Sequence, residues 1–137
     1  MQTRLRRLIP GLALALTGAC AFAPLAGQAA DVVRRVAPAF GNTVLSTYPD
    51  GRSQKIWLRP DGTWEGASRR GNPLAGKWSI KGEKLCLKQT KPAMPLSFCV
   101  AYPGEAQVGA VWTSKDLAGT PIKLKVVKGI VGAKAGT

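Results

Sequence analysis

Lys55, Trp57 and Arg59 form the one arrangement in this sequence whose chemistry points outward to a ligand, set at alternate positions in Lys55-Ile56-Trp57-Leu58-Arg59. Successive side chains of an extended chain leave on opposite sides, so Ile56 and Leu58 turn inward while a large ring flanked by two cations turns outward. Such a triplet suits an anion with an apolar body, a lipid headgroup or an acidic glycan. The competing expectation is that Trp57 is covered by the segment Asp31 to Phe40. A second basic cluster, Arg69-Arg70 before Gly71-Asn72-Pro73, falls on a loop rim with Arg52 as a candidate neighbour. Solvation alone explains most such pairs, and ligand binding is the sharper expectation.

Catalytic chemistry has little to work with. The chain contains no histidine, which rules out Ser-His-Asp and Cys-His machinery and histidine-based metal or haem sites. Its seven carboxylates are scattered: turns explain Asp50 and Asp61, a hairpin tip explains Glu83, Asp31 opens the N-terminal arm, and Glu65, Glu105 and Asp116 are the candidates for a glycosidase-type pair. The expectation is a protein that is not an enzyme and uses no cofactor.

From Thr43 onward, short β-prone runs alternate with turn chemistry, the pattern of a small all-β domain. The candidate strands are 43–48, 54–59, 63–68, 75–80, 84–89, 96–102, 108–114 and 122–127, about eight in number. Pro49-Asp50-Gly51 and Pro60-Asp61-Gly62 each combine a proline that presets the turn, an aspartate that bonds back to its own backbone, and a glycine free to take positive φ. Gly71-Asn72-Pro73 and Lys81-Gly82-Glu83 close the next two hairpins, with Gly82 left-handed. This is an antiparallel up-and-down meander. Its two edges would be removed by closing into a barrel, and a β-sandwich is the alternative.

Period two assigns the faces. Trp78, Ile80, Leu85, Leu87, Leu96, Phe98, Val100, Ile122, Leu124 and Val126 form the predicted core, with Trp64 and Trp112 in it or at the barrel mouth. Lys77, Lys84, Lys88, Lys123 and Lys125 fall on the opposite side and make a basic outer wall. Placing Cys86 opposite Cys99 also pairs Leu85 with Val100, Leu87 with Phe98 and Gln89 with Leu96. Apolar thus meets apolar on one face and the cysteines share the other, which predicts a disulfide in an oxidising compartment.

The N-terminus has the form of a secretory signal over residues 1–30: Arg4, Arg6 and Arg7, an apolar run from Leu8 to Ala15, and Gly27-Gln28-Ala29-Ala30 before Asp31. Leu16-Thr17-Gly18-Ala19-Cys20 offers a minor alternative, an outer-membrane lipoprotein anchored through Cys20, although Thr17 stands where leucine is usual. Removing the signal leaves about 107 residues, enough for one domain. Three of the 20 basic residues go with it, so 17 remain against 7 acidic ones, a net of +10. Asp31 to Asn42 reads as an N-terminal arm, either one short amphipathic turn stopped by Pro38 or an extended segment, packed on the barrel exterior, residues 43–128 as the barrel, and residues 129–137 as a frayed tail.

The run Phe40-Gly41-Asn42-Thr43, Tyr48-Pro49-Asp50-Gly51, Trp57-Leu58, Asp61-Gly62-Thr63, Gly76-Lys77-Trp78, Lys84-Leu85-Cys86-Leu87 and Phe98-Cys99 resembles an uncharacterised family of small exported bacterial β-proteins. The Gly-x-Trp start of a strand is also similar to lipocalin-like and other calycin barrels, which implies binding of small apolar ligands or of proteins. Three functions follow as expectations. The first is an exported, periplasmic or secreted binding protein whose basic wall contacts an anionic lipid, lipopolysaccharide or acidic polymer. The second is an inhibitor of a secreted hydrolase, such as a protease, that acts on its protein partner through the N-terminal arm. The third is a structural envelope protein with no small ligand. Export makes nucleic acid an unexpected partner, and the sequence leaves the oligomeric state open.

Overall fold

The structure, a computed structural model, describes residues 26–104 and 106–132. The predicted signal up to residue 25, with Cys20, lies outside them, as does Glu105. A helix α1 (Ala26–Val36) and a 3-10 turn (Ala37–Ala39) precede eight strands: β1 (Thr43–Thr47), β2 (Ser53–Leu58), β3 (Thr63–Ala67), β4 (Pro73–Lys81), β5 (Lys84–Lys91), β6 (Ala93–Ala101), β7 (Val111–Lys115) and β8 (Pro121–Val127).

All eight strands join one antiparallel sheet in the order β6-β5-β4-β3-β2-β1-β8-β7. Read as a ring, this is an up-and-down meander with a single break, between β6 and β7. The predicted closed barrel is therefore an open half-barrel, and the sheet does not fold into a sandwich. Side chains explain the break. Ala101, at the end of β6, donates its N–H to Ser114 Oγ at 3.0 Å, and its carbonyl accepts from Trp112 Nε1 at 2.6 Å. The backbone groups that would have formed a ladder rung are thereby used.

The turns carry the meander as their sequences direct. In both Pro-Asp-Gly hairpins the glycine N–H returns to the carbonyl three residues back, Tyr48 or Arg59, and the aspartate Oδ1 accepts the N–H two residues on, from Arg52 or Thr63. Gly51 and Gly62 hold φ of 80° and 84°, which residues with a Cβ rarely adopt. Curvature comes from two glycines on the inner face. A Cβ on Gly66 would run into the Lys55 carbonyl, and one on Gly76 into the Lys88 carbonyl and the Trp64 indole. The sheet bends tightly there because these positions lack side chains.

Trp78, Leu85, Leu87, Val100, Ile122, Leu124 and Val126 are buried as predicted, as are the inward Ile56 and Leu58 and Trp64, and Val44 joins them. Leu96 is not: it is 64% exposed, and Phe98 and Ile80 are half-buried. The predicted β5–β6 register holds from Lys84 opposite Ala101 to Lys88 opposite Ser97, then shifts, so Gln89 and Leu96 are not partners. Beyond that shift β6 runs along the open seam as a sheet edge, with a strand on one side only.

The N-terminal arm does not lie on the exterior. Val36 and Ala39 are fully buried in the core, and Arg35 Nη1 donates to the Gly82 carbonyl at 2.7 Å, so the arm stops one end of the half-barrel. An apolar barrel end would otherwise face water, and burying Val36 there stabilises by about 1.5–3 kcal/mol. The tail is likewise not frayed at its start, because Gly129 and Val131 are tied to the outer face of β1.

Candidate functional site

β2 presents Lys55 and Trp57 on the outer face, and Arg59 follows at the start of the next turn. Across the sheet the rung Trp57–Glu65–Ala75–Lys91 spans β2 to β5, and beside it runs Lys55–Ala67–Pro73. Small apolar side chains at Ala67 and Ala75 leave a hollow between taller neighbours. This hollow is a groove of about 820 Å³, floored by Trp57, Glu65, Ala67 and Ala75 and walled by Ile130 on one side and Lys91-Pro92 on the other. That volume lies within the usual range of small-molecule sites, roughly 300–1,000 Å³.

Trp57 is half-buried, and the segment tied in beside it is the C-terminal one, while Val36 and Ala39 of the N-terminal arm are taken up by the core. Thr43, at the start of β1, is fully buried beside it. Its hydroxyl donates to the Gly129 carbonyl at 2.8 Å and accepts from Trp57 Nε1 at 3.1 Å and from the Val131 N–H at 2.9 Å. One donor and two acceptors use the whole capacity of a hydroxyl. Asn42 Oδ1 accepts the Gly129 N–H at 2.9 Å and completes the attachment. Residues 129–132 thus form a strap along one side of the groove, and the Lys55 ammonium packs under Gly132.

The charges of the groove separate into a closed pair and an open one. Arg59 Nη2 meets Glu65 Oε2 at 2.7 Å, so these two largely cancel. Lys91 has no acidic partner among the described residues. With its indole N–H bonded to Thr43, Trp57 offers a ligand only its ring.

Arg69 and Arg70 are elsewhere. Arg69 lies 4.1 Å over the Tyr48 ring and 3.5 Å from Asp50, at the barrel end opposite the arm. Burial first, and then the charge of Asp116, hold the Tyr48 phenol above its ordinary pKa while Arg69 opposes them. Arg69 is therefore engaged in packing, and Arg70 is exposed on the turn. Gly71 and Pro73, and neither arginine, reach the groove. Arg52 contributes turn backbone, its N–H bonding Asp50 Oδ1 at 2.9 Å.

The outer wall is basic as predicted, with Lys77, Lys84, Lys88, Lys123 and Lys125 all exposed. Lys77 stands directly opposite Lys88, and Lys81 opposite Lys84. Like charges in cross-strand pairs are destabilising. Lys88 spends part of its hydrogen-bonding on the Met94 and Pro95 carbonyls, each at 2.8 Å. All three ion pairs among the described residues use arginine, so no lysine there has a carboxylate partner.

The candidate acids are in local service. Glu65 pairs with Arg59, and Asp116 accepts the N–H groups of Ala118 and Thr120. The Thr63 hydroxyl and N–H hold the Asp61 carboxyl below the usual range.

Sequence reasoning found Trp57 and its cations but missed Thr43, Ala67, Ala75 and Lys91. Alternation along β3 and β4 was the signal that could have found the two alanines on the outer face; that they floor a groove depends on neighbours in other strands. No known protein family, curated protein or solved structure matches this chain.

Proposed function

We propose that this protein is a non-enzymatic exported binding protein whose basic outer wall contacts an anionic component of the cell envelope. The observation that carries the reading is the lysine wall without counter-charge. Lys77 faces Lys88 and Lys81 faces Lys84 across the β4–β5 hairpin, and no described carboxylate neutralises any of them. Repulsion that a fold leaves uncompensated is relieved when an anionic surface supplies the missing charge. The Cys86–Cys99 disulfide agrees with an oxidising compartment, in keeping with the signal read from residues 1–30.

Co-sedimentation with vesicles tests it. The protein should bind vesicles containing phosphatidylglycerol and ignore pure phosphatidylcholine. Binding should fall away toward about 1 M salt, where the screening length is roughly 3 Å. Reversing two wall charges, Lys123→Glu with Lys125→Glu, should weaken it at unchanged Tm. Equal binding to neutral vesicles, or binding that salt does not touch, would overturn the reading.

A further inference from the structure

The wall accounts for attraction to a charged surface, but it does not account for the groove. On a face that is otherwise lysine-rich, Trp57, Ala67 and Ala75 on the floor with Ile130 and Pro92 on the walls give most of a groove of about 820 Å³ an apolar surface, crossed on the floor by the Glu65–Arg59 pair. Its polar groups are few and mostly satisfied. Trp57 Nε1 is held by Thr43 at 3.1 Å, and Arg59 and Glu65 hold one another at 2.7 Å.

A sugar would need donors and acceptors to replace its hydration, because hydroxyls buried without partners weaken binding. The groove offers few: the Arg59–Glu65 pair, whose facing atoms are already engaged with each other, and the Lys91 ammonium. An alkyl chain needs only apolar surface, and it gains from leaving water in proportion to its length. The remaining free charge is the Lys91 ammonium on the wall, at the end of the rung that runs Trp57–Glu65–Ala75–Lys91. Lys55, under the strap at Gly132, adds positive potential from the other side.

We infer that the groove is a binding site for a single-chain anionic amphiphile: the alkyl chain lies along Trp57, Ala67 and Ala75, and the head group meets Lys91. This rests on the reading that the outer face meets an anionic envelope component, and it names the part of that component the face would grip. The same chemistry could be presented by a lipid in a membrane or by a free fatty acid, and the two have separate tests.

Calorimetric titration of the whole protein with n-octyl and n-decyl sulfate, each below its micelle concentration, reads the site directly. Affinity should rise about fourfold per methylene, hence roughly fifteenfold between the two. Inorganic sulfate, the head group alone, should not bind measurably. Decyl maltoside, the same chain with a neutral head, should bind more weakly, and Lys91→Gln should erase that difference. Ala75→Leu and Ala67→Leu, two outward substitutions that fill the floor, should each lower affinity at least tenfold with Tm unchanged. Should either fail to fold, the chain-length series still decides.

Affinity independent of chain length, sulfate binding as well as decyl sulfate, or full affinity in folded groove-filling variants would overturn the proposal. An extended peptide as occupant would appear as the first of these. Loss of decyl sulfate binding in the leucine variants with vesicle binding kept assigns the groove to a free amphiphile; loss of both assigns it to a membrane lipid. Wild-type protein that binds anionic vesicles but no amphiphile defeats only this inference. Protein that binds decyl sulfate but no anionic vesicle defeats the wall and leaves the groove standing.

Discussion

The two flanks of the outer face are held in opposite ways. On the β4–β5–β6 flank a covalent link joins Cys86 to Cys99, directly opposed residues 13 apart in sequence. On the β1–β2 flank a single buried hydroxyl, Thr43, gathers Trp57 from β2 and the strap from 86 to 88 residues away. The staple works mainly on the unfolded chain, by restricting it. Thr43 works on the folded state, by satisfying groups that the fold has removed from water. The stapled flank is therefore scaffold wherever the chain goes, whereas the strapped flank exists only once the whole sheet has formed. The groove lies between them and takes one wall from each, Lys91-Pro92 from the stapled side and Ile130 from the strap.

Breaking each flank separately sharpens that contrast. The largest effect is expected from Cys86→Ala with Cys99→Ala, which opens a loop closed across 13 positions and should lower unfolding free energy by about 3 kcal/mol on the chain-entropy account. Denaturant midpoints of the oxidised wild type and the variant measure it. Trp57 emission should stay where it is, because the strap does not depend on the staple.

Alkaline titration probes the stapled flank at its seam. Tyr102, just past β6, is buried edge-on against Trp112 at 5.4 Å, and burial pushes its phenol up to about 12. In the unfolded chain the proton leaves near pH 10, so the unfolded state loses protons first. This contribution is complete below about pH 10 and disappears as pH rises toward 12, a change of about 2–3 kcal/mol. The Tyr102 hydroxyl has no hydrogen-bond partner among the described residues. Tyr102→Phe should therefore cost little at pH 7 and should flatten the wild-type fall above pH 10, which paired pH-dependent melts would reveal.

On the other flank Thr43→Val keeps the shape and removes the hydroxyl. It strands the Trp57 and Val131 N–H groups and the Gly129 carbonyl, and should cost about 2 kcal/mol, less than three buried orphans would because the strap can lift into water. The distinguishing sign is a red-shifted, more quenchable Trp57, seen in a background with Trp112 replaced to reduce overlap. An unshifted spectrum would mean that the strap holds without its hub. The smallest effect belongs to Arg59→Gln. It breaks an exposed pair with Glu65 and should change stability by less than about 1 kcal/mol, while leaving Glu65 uncompensated and so weakening amphiphile binding.

Most of the scaffold was legible in the chain. Strand positions, the Pro-Asp-Gly hairpins, the lysine wall and the register from Leu85–Val100 to Leu87–Phe98 all follow from alternation and turn chemistry, which act over a few residues. The same reasoning placed Trp57 outward between two cations. It placed Leu96 in the core because alternation gives a direction but does not say whether a neighbouring strand is there to cover it.

The sequence by itself determined which residues form strands, which way their side chains face and which cysteines can meet, since each is set by contacts between near neighbours. Only the tertiary structure decided that β6 and β7 stop short of pairing, that Val36 and Ala39 close the barrel end, and that residues 129–132 return to Thr43 to wall the groove. Those outcomes depend on distant segments competing for the same donors, acceptors and apolar surface. Ser114 and Trp112 take the Ala101 groups that a closing rung would have used, and Thr43 has one hydroxyl to share among three partners.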